Sequence, residues 1–204
     1  GSHDQTVRVW HLQSGRNLKT LRGYTGGIHS LSLSSDDQIL ASSGQNEMIQ
    51  LWHLQPDGNP SSYHPYKTFP NPTRRVSSFS NVSFSPDNQT LTINRHDESI
   101  ALWNIQTGHL DRWSAHNAAV WTVLFSPTGQ ILASSSYDCT VRLWDVQTHY
   151  CLHVLRGHQN GIPAIAFDKS GQWLASGSFD LTIRFWDVQT GECSRVLQGH
   201  TGAV

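Results

Sequence analysis

The chain has 204 residues, enough for one or two hydrophobic cores, and its 37% hydrophobic and 10% aromatic content is typical of a globular protein. Its 14 Lys and Arg residues nearly balance its 15 Asp and Glu residues. This balance excludes the strongly basic surface expected of a protein that binds nucleic acid or a membrane surface. Every apolar run is shorter than the roughly 18 to 20 residues needed to cross a bilayer.

Three cysteines, Cys139, Cys151 and Cys193, give the first indication of a compartment. They form no CxxC pair, and an odd number cannot all pair within one chain. Such usage favours a reducing environment over a disulfide scaffold. We therefore predict a cytoplasmic protein.

The first element along the chain, TVRVWHLQSG (6–15), is repeated four times. The later copies are MIQLWHLQPDG (48–58), SIALWNIQTG (99–108), TVRLWDVQTH (140–149) and TIRFWDVQTG (182–191). The repeated tryptophans are Trp10, Trp52, Trp103, Trp144 and Trp186, spaced by 42, 51, 41 and 42 residues. A period near 42 residues, with one lengthened interval, identifies a repeat architecture.

Each repeat contains four short segments that are typical of strands. In the clearest unit, 116–157, these are AVWTVLFS, QILASSS, TVRLWDV and YCLHVLRG. Short turn sequences such as SPDN (86–89), SPTG (126–129) and DKSG (168–171) predict tight hairpins. Because one four-stranded sheet cannot bury both of its faces alone, each unit must pack against its neighbours, as the sheets of a propeller do.

Several motifs that recur in phase resemble the Trp-Asp repeat (WD-repeat) β-propellers. They are RGH (156–158), QGH (198–200), the WD pairs at 144–145 and 186–187, and LASSSYDCTVRLWD (132–145). The resemblance covers residues 4–204 and implies an all-β propeller of four-stranded antiparallel blades. The close likeness between successive repeats resembles bacterial, especially cyanobacterial, members, in which a signalling NTPase or kinase domain is often attached.

On this alignment, residues 1–204 form a single partial propeller with four full blades and partial blades at both ends. The predicted repeats are 1–21 (partial), 24–69, 75–113, 116–155, 158–197 and 198–204 (the start of another). We expect either a part of a larger ring of seven blades or a fragment completed by another chain. The opening GSHDQTVRVW aligns without a gap to GSFDLTIRFW (177–186), so its first three residues are either native sequence or an expression-tag scar.

A set of four polar residues recurs at fixed offsets: His116, Ser134, Asp138 and Trp144, and then His158, Ser176, Asp180 and Trp186. A Ser/His/Asp triad for catalysis is one interpretation, but a catalytic site is needed once and this set recurs with an indole donor. We favour a structural hydrogen-bond chain. The resemblance implies that the Asp holds the His, the His contacts the Ser, and the Ser accepts the indole N–H.

Two other repeats depart from this set. One has Tyr24, Ser42, Asn46 and Trp52, and the other has Arg75, Ile93, Asp97 and Trp103. We expect neither to close the same chain, so these blades would depend more on apolar packing and be locally less stable. The proline-rich insertion between Trp52 and Trp103 is either a tolerated loop or a partner contact through Tyr63, Tyr66, Arg74 or Arg75.

A ring of similar blades offers a broad face for recognition, and the resemblance places the partner surface beside the turn after the second strand. Carried onto this sequence, the candidate surface residues are His29, Gln45, His96, Trp121, Tyr137 and Phe179. Trp121, Tyr137 and Phe179 belong to adjacent repeats and would form one apolar patch. The alternative is that Trp121 only packs on its neighbouring blade.

These features favour a non-catalytic protein-interaction scaffold, or a sensor or recognition module of a larger multidomain protein. A small-molecule or peptide-binding propeller and a propeller-borne enzyme are the alternatives. We predict no cofactor and no metal, because HExxH, Cys/His clusters and phosphate-binding glycine motifs are absent from the sequence. The expected partner is a protein or peptide, or additional blades from the same or another chain, rather than nucleic acid or membrane.

Overall fold

A computed structural model describes residues 1–24, 26–44, 48–54, 65–70, 81–94 and 98–204. These residues form strands and turns, and none of them forms a helix that could cross a membrane. The chain divides into two compact units, Gly1–Ser83 and Phe84–Val204. Most of the predicted insertion, including Tyr63, Arg74 and Arg75, lies outside the described residues.

The first unit contains a two-stranded and a four-stranded antiparallel sheet. The two-stranded sheet pairs β1 (Val7–His11) with β2 (Arg16–Leu21). The four-stranded sheet has the order β3 (Ile28–Leu33), β4 (Ile39–Gly44), β5 (Met48–His53) and β6 (Lys67–Pro70). Their shared core consists of Val7, Leu21, Tyr24, Ile28, Leu40 and Trp52. The two sheets are therefore joined by apolar packing.

Three more four-stranded sheets follow, and the border between the units lies within β7. The first has β7 (Val82–Phe84), β8 (Thr90–Asn94), β9 (Ser99–Asn104) and β10 (Leu110–Ser114). The second has β11 (Val120–Phe125), β12 (Ile131–Ser136), β13 (Thr140–Asp145) and β14 (Cys151–Arg156). The third has β15 (Ala164–Phe167), β16 (Trp173–Gly177), β17 (Ile183–Asp187) and β18 (Cys193–Leu197). The predicted all-β fold with four-stranded antiparallel sheets is confirmed.

The middle sheet of the second unit, β11–β14, has a core on each face. Successive residues of a strand point to opposite faces. Leu132 and Trp144 accordingly join the cluster that contains Ile100 of β9, whereas their neighbours Ala133 and Leu143 join another cluster that reaches β15–β18. The small side chains of β12 allow neighbours to approach on both sides. A sheet in this position is held by apolar packing on both of its faces, as the sequence pattern required.

Tight turns join the strands within each sheet. Asp145 lies at the end of β13, and its carboxylate accepts hydrogen bonds from the backbone N–H groups of Gln147 and Thr148, at 3.1 and 2.8 Å. Asp187 holds the corresponding turn after β17 through Gln189 and Thr190. Gln147 and Gln189, three residues after Trp144 and Trp186, thus contribute their backbone N–H groups to hairpin turns.

Candidate interaction surface

A buried chain of polar groups connects the second and third strands of the β11–β14 sheet with the segment that leads into it. Trp144 Nε1–H donates to Ser134 Oγ at 2.8 Å, and Ser134 Oγ lies 2.7 Å from His116 Nε2. His116 Nδ1 lies 3.0 Å from Asp138 Oδ2. Because an ionised carboxylate only accepts, Nδ1 carries the imidazole proton, and Nε2 accepts the Ser134 O–H. Every member of this chain is therefore satisfied.

The β15–β18 sheet contains the same chain. Trp186 Nε1–H donates to Ser176 Oγ at 2.8 Å, and Ser176 Oγ lies 2.7 Å from His158 Nε2. His158 Nδ1 lies 2.8 Å from Asp180 Oδ2. Two adjacent sheets thus use one arrangement to fix a turn, a strand and the preceding loop to each other.

The burial of these chains argues against catalysis by them. The Ser134 side chain has 0% of its surface exposed, and His116 and Trp144 are also buried. A nucleophile must reach a substrate carbonyl, and these hydroxyls are enclosed between an indole and an imidazole. The geometry of a triad is present, but its serine has no access to a substrate.

Each chain ends in a carboxylate that stays ionised. Burial alone would raise the pKa of Asp138, but hydrogen bonds from His116, Thr140 and the Asn117 backbone outweigh it and hold that pKa well below its usual range. The pKa of Asp180 is lowered in the same way, against the effect of its burial. Burial lowers the pKa of His158, although Asp180 acts in the opposite direction. In the β15–β18 sheet the neutral form of His158 is therefore favoured beside the ionised Asp180.

In the first unit, Tyr24 takes part in a shorter version of the chain. Trp52 Nε1–H lies 3.0 Å from the Tyr24 hydroxyl and 2.9 Å from Ser42 Oγ, and the two hydroxyls are hydrogen-bonded to each other. Ser42 donates to the Gln50 carbonyl at 3.2 Å. The expectation that this repeat would depend on apolar packing is therefore wrong in part, because a phenol can replace the imidazole as a partner of Ser42. Asn46, the turn residue, lies outside the described residues.

The repeat with Ile93 has an apolar side chain where the others have serine. Ile93 is fully buried in β8, and Trp103 is buried in β9. Arg75 and Asp97, the other members of that predicted set, lie outside the described residues. At the Ile93 position, the contribution to stability is apolar burial.

Three aromatic side chains of the second unit form the aromatic cluster, which consists of Trp121, Tyr137 and Phe179. The ring centroids of Trp121 and Tyr137 lie 5.0 Å apart, and those of Trp121 and Phe179 lie 5.9 Å apart with their planes at 76°. Tyr137 and Phe179 lie 6.3 Å apart. Tyr137 is 47% exposed, and the other two rings are partly exposed. Trp121 thus contacts the neighbouring sheet and also presents surface to solvent.

A β-bulge positions Trp121. Val120 pairs with Ser136 and Thr122 pairs with Ser135, so Trp121 is the extra residue between two ladder pairs. A bulge of this kind changes the direction of a side chain. In the first unit, His29 occupies the same position, between Ile28 and Ser30 of β3. These two predicted surface residues therefore occupy the same bulge position in their sheets.

Backbone hydrogen bonds hold the other two rings. Tyr137 N–H donates to the Ala119 carbonyl, and Phe179 N–H donates to the Gly161 carbonyl, both at 3.0 Å. A Cβ on Gly161 would lie 3.0 Å from Tyr137 Cδ1 and 3.4 Å from Phe179 Cδ2. Glycine at 161 thus lets the loop approach the rings closely, and the aromatic cluster is preorganised.

Of the other predicted surface residues, the structure describes His29. His29 is partly buried and meets His3 edge to face, with ring centroids 5.5 Å apart. Burial and the nearby His3 lower the pKa of His29. Gln45 and His96 lie outside the described residues. The structure therefore brings together Trp121, Tyr137 and Phe179, the predicted surface residues of the second unit that it describes.

Leu181 is a surface residue that the sequence reasoning missed. It is 39% exposed and follows Asp180 at a φ of 69°. The equivalent residues in other repeats are Gln5, Glu47, Glu98 and Cys139. An apolar residue at a turn position that is otherwise mostly polar was the signal that could have identified it.

A comparison with protein-family models gives one match. The model described as WD domain, G-beta repeat matches residues 15–53, 108–145 and 149–187, which together are more than half of the chain. The chain belongs to the WD40 family. Both complete polar chains and the shorter chain of Tyr24 lie within the matched WD40 segments, whereas Ile93 and Trp103 lie outside them.

Several WD40 relatives match about half of the chain. A bromodomain and WD repeat-containing protein of Dictyostelium discoideum is 30% identical over 105 residues, 52% of this chain and 5% of that protein. Target of rapamycin complex subunit LST8 of Saccharomyces cerevisiae is 26% identical over 118 residues, 58% of this chain and 36% of that protein. Eukaryotic translation initiation factor 3 subunit I of Debaryomyces hansenii is 32% identical over 88 residues, 43% of this chain and 22% of that protein. These relatives are eukaryotic, so they do not support the predicted likeness to bacterial members.

Proposed function

We propose that this WD40 chain is a non-catalytic protein-interaction scaffold or recognition module of a larger protein. The observation that carries the proposal is the aromatic cluster, in which rings from two adjacent sheets meet at a surface with their backbone fixed. Rigid aromatic side chains that are partly exposed and close together are typical of binding hot spots. The names of two relatives designate subunits of a target of rapamycin complex and of a translation initiation factor. These relatives support a role in assembly.

The repeated Ser/His/Asp residues support the same proposal. Their side chains are hydrogen-bonded within buried chains that fix the turns next to the aromatic cluster. They therefore stabilise the binding surface and do not act on a substrate. Among the described residues, no group of three or more His, Cys, Asp or Glu side chains is placed to hold a metal ion. The chemistry that remains at the surface is recognition by apolar and aromatic contacts.

Three expectations from the sequence stay predictions: a cytoplasmic location, a bacterial origin, and a single partial propeller that belongs to a larger ring of blades. The same holds for the expectation that nucleic acid and membranes are not partners. The near balance of acidic and basic residues supports this last expectation.

A pair of matched variants tests the proposed function. The double variant Tyr137→Ala with Phe179→Ala removes two rings of the aromatic cluster, and Tyr150→Ala removes a ring that is 70% exposed and lies outside it. We expect proteins that crosslink to the full-length protein in its own cells to be lost with the double variant and kept with Tyr150→Ala. Quantitative mass spectrometry of the crosslinked proteins measures this. An unchanged set of proteins with the double variant, at unchanged thermal stability, would contradict the proposal.

A further inference from the structure

The charged residues within the segments that form the aromatic cluster are acidic. Four segments carry and frame the cluster, namely 117–122, 137–139, 159–163 and 179–181. Asp138 and Asp180 are the charged residues in these segments, and neither Lys nor Arg occurs in them. The exposed polar side chains beside the rings are the uncharged amides Asn117, Gln159 and Asn160. The rings therefore lie next to two carboxylates, whose side chains are 10% and 8% exposed.

Both carboxylates contribute a field at this surface. The Asp180 carboxylate accepts from His158, Thr182 and the Gln159 backbone, and within the described part of the chain no Lys or Arg nitrogen lies within 4.0 Å of it. The Asp138 carboxylate has Arg142 Nη2 at 3.7 Å. The charge of Asp138 is therefore offset in part, and next to Asp180 the positive charge of Arg184 helps to lower the pKa of His158.

The field is felt at the turn that carries Tyr137. Cys139 lies two residues after Tyr137, and burial raises the pKa of its thiol. The charges of Asp138 and Asp180 raise that pKa further. Burial disfavours any charge at this position, whereas the part of the shift that comes from the two carboxylates would favour a cation brought there.

Aromatic faces and carboxylates favour the same kind of ligand. A Lys or Arg side chain is attracted to the face of an aromatic ring within about 6 Å of its centroid, and it is attracted to a carboxylate by charge. The rings also offer apolar contact area for neighbouring residues. We infer that the aromatic cluster binds a peptide segment of a partner protein that carries a lysine or arginine side chain among apolar residues. This inference rests on the proposed function and specifies the partner's chemistry.

Asn117 offers a charge swap at an exposed position outside the rings and the polar chains. Its side chain is exposed, and in the described structure its backbone N–H, not its side chain, donates to Asp138. Asn117→Lys would place a positive charge beside the cluster, and Asn117→Glu would place a negative charge there. Both variants keep all three rings and both polar chains. They therefore change the charge of the surface and leave its shape.

The experiment selects peptides from a random display library on the full chain, with the Tyr137→Ala and Phe179→Ala double variant used to remove peptides that bind elsewhere. We expect the selected peptides to be enriched in Lys or Arg next to apolar residues. A selected peptide and its copy with Gln in place of the basic residue are then compared by fluorescence anisotropy. We expect Asn117→Lys to weaken the basic peptide by about two- to threefold and Asn117→Glu to strengthen it by a similar factor, both effects shrinking at high salt.

The outcomes separate this inference from the proposed function. Peptides that need the aromatic cluster but are acidic or uncharged would overturn the basic partner and leave the interaction role standing. The same follows if the basic peptide and its Gln copy bind equally, or if the two Asn117 variants bind alike. A selection in which no peptide depends on the cluster would overturn both.

Discussion

The buried hydroxyl of Ser134 joins two side chains that have no other way to be satisfied there. In Ser134→Ala, Trp144 Nε1–H loses its acceptor and His116 Nε2 loses its donor, and both groups remain buried. Each buried group left without a partner costs about 1 to 3 kcal/mol. We expect a loss of about 3 kcal/mol in the free energy of unfolding, a large part of the 5 to 15 kcal/mol typical of a domain. The corresponding fall in Tm is roughly 6 to 12 °C for a chain of this size.

Ser135 provides the matched control. It lies next to Ser134 in β12 and is equally buried, but its hydroxyl has no hydrogen-bond partner in the described structure. Ser135→Ala removes the same atom without breaking a chain, so we expect a change within about 0.5 kcal/mol or a small gain. Urea unfolding followed by tryptophan fluorescence measures both variants, and the slope m should stay the same. If the two substitutions cost the same, the polar chain does not stabilise the sheet and the reasoning fails.

Two further predictions concern the same groups. Tyr24→Phe removes a hydroxyl that is hydrogen-bonded to Ser42 and Trp52, but the Trp52 N–H keeps Ser42 as an acceptor. We therefore expect the free energy of unfolding, measured in the same urea assay, to fall by only about 1 kcal/mol. A loss as large as that of Ser134→Ala would contradict this. Stability should also fall in acid in two steps. Burial lowers the pKa of His158, so below about pH 6.5 the unfolded chain binds a proton more readily than the folded chain, and the free energy of unfolding falls. The pKa values of Asp138 and Asp180 are also lowered in the folded chain. Protonation of these carboxylates therefore lowers the free energy of unfolding further below about pH 4. Unfolding midpoints measured from pH 8 to pH 3 test this, and a flat profile would contradict it.

The period of the repeat made the sheets predictable. Strand-like segments recur in phase with Trp144 and Trp186, and turn residues such as Gly129 separate them, so local pattern and packing requirement agree. The bulges were not predictable in this way. The sequence around Trp121 does not indicate that Val120 and Thr122 pair with consecutive residues of β12. A bulge depends on how two strands pair, which one strand's sequence does not determine.

The site was predictable as far as the repeat determines it. Offsets identify His116 and Asp138 as members of one set, and they identify Tyr137 and Phe179 as residues that precede a turn Asp. Whether a substituted residue still serves the chain depends on its reach in the fold. Tyr24 is an example, because its hydroxyl extends to Ser42 from a position where an imidazole was expected. The sequence shows the substitution, but only the packing shows that the hydrogen bond survives.

The residues that stabilise the sheets and the residues that form the proposed recognition surface occupy different positions of the same repeat. Ser134 and Ser176 belong to ladder pairs and have similar buried surroundings in the two sheets, so changing them alters the scaffold. The bulge position is outside the ladder, and it carries His29 in the first unit and Trp121 in the second. Its side chain meets a residue that precedes a turn Asp, which is His3 of the preceding repeat in the first unit and Tyr137 of the same repeat in the second. Exchanging residues at these positions changes the surface chemistry without breaking a backbone pair, and this is how one backbone can present a histidine pair in one unit and the aromatic cluster in the other.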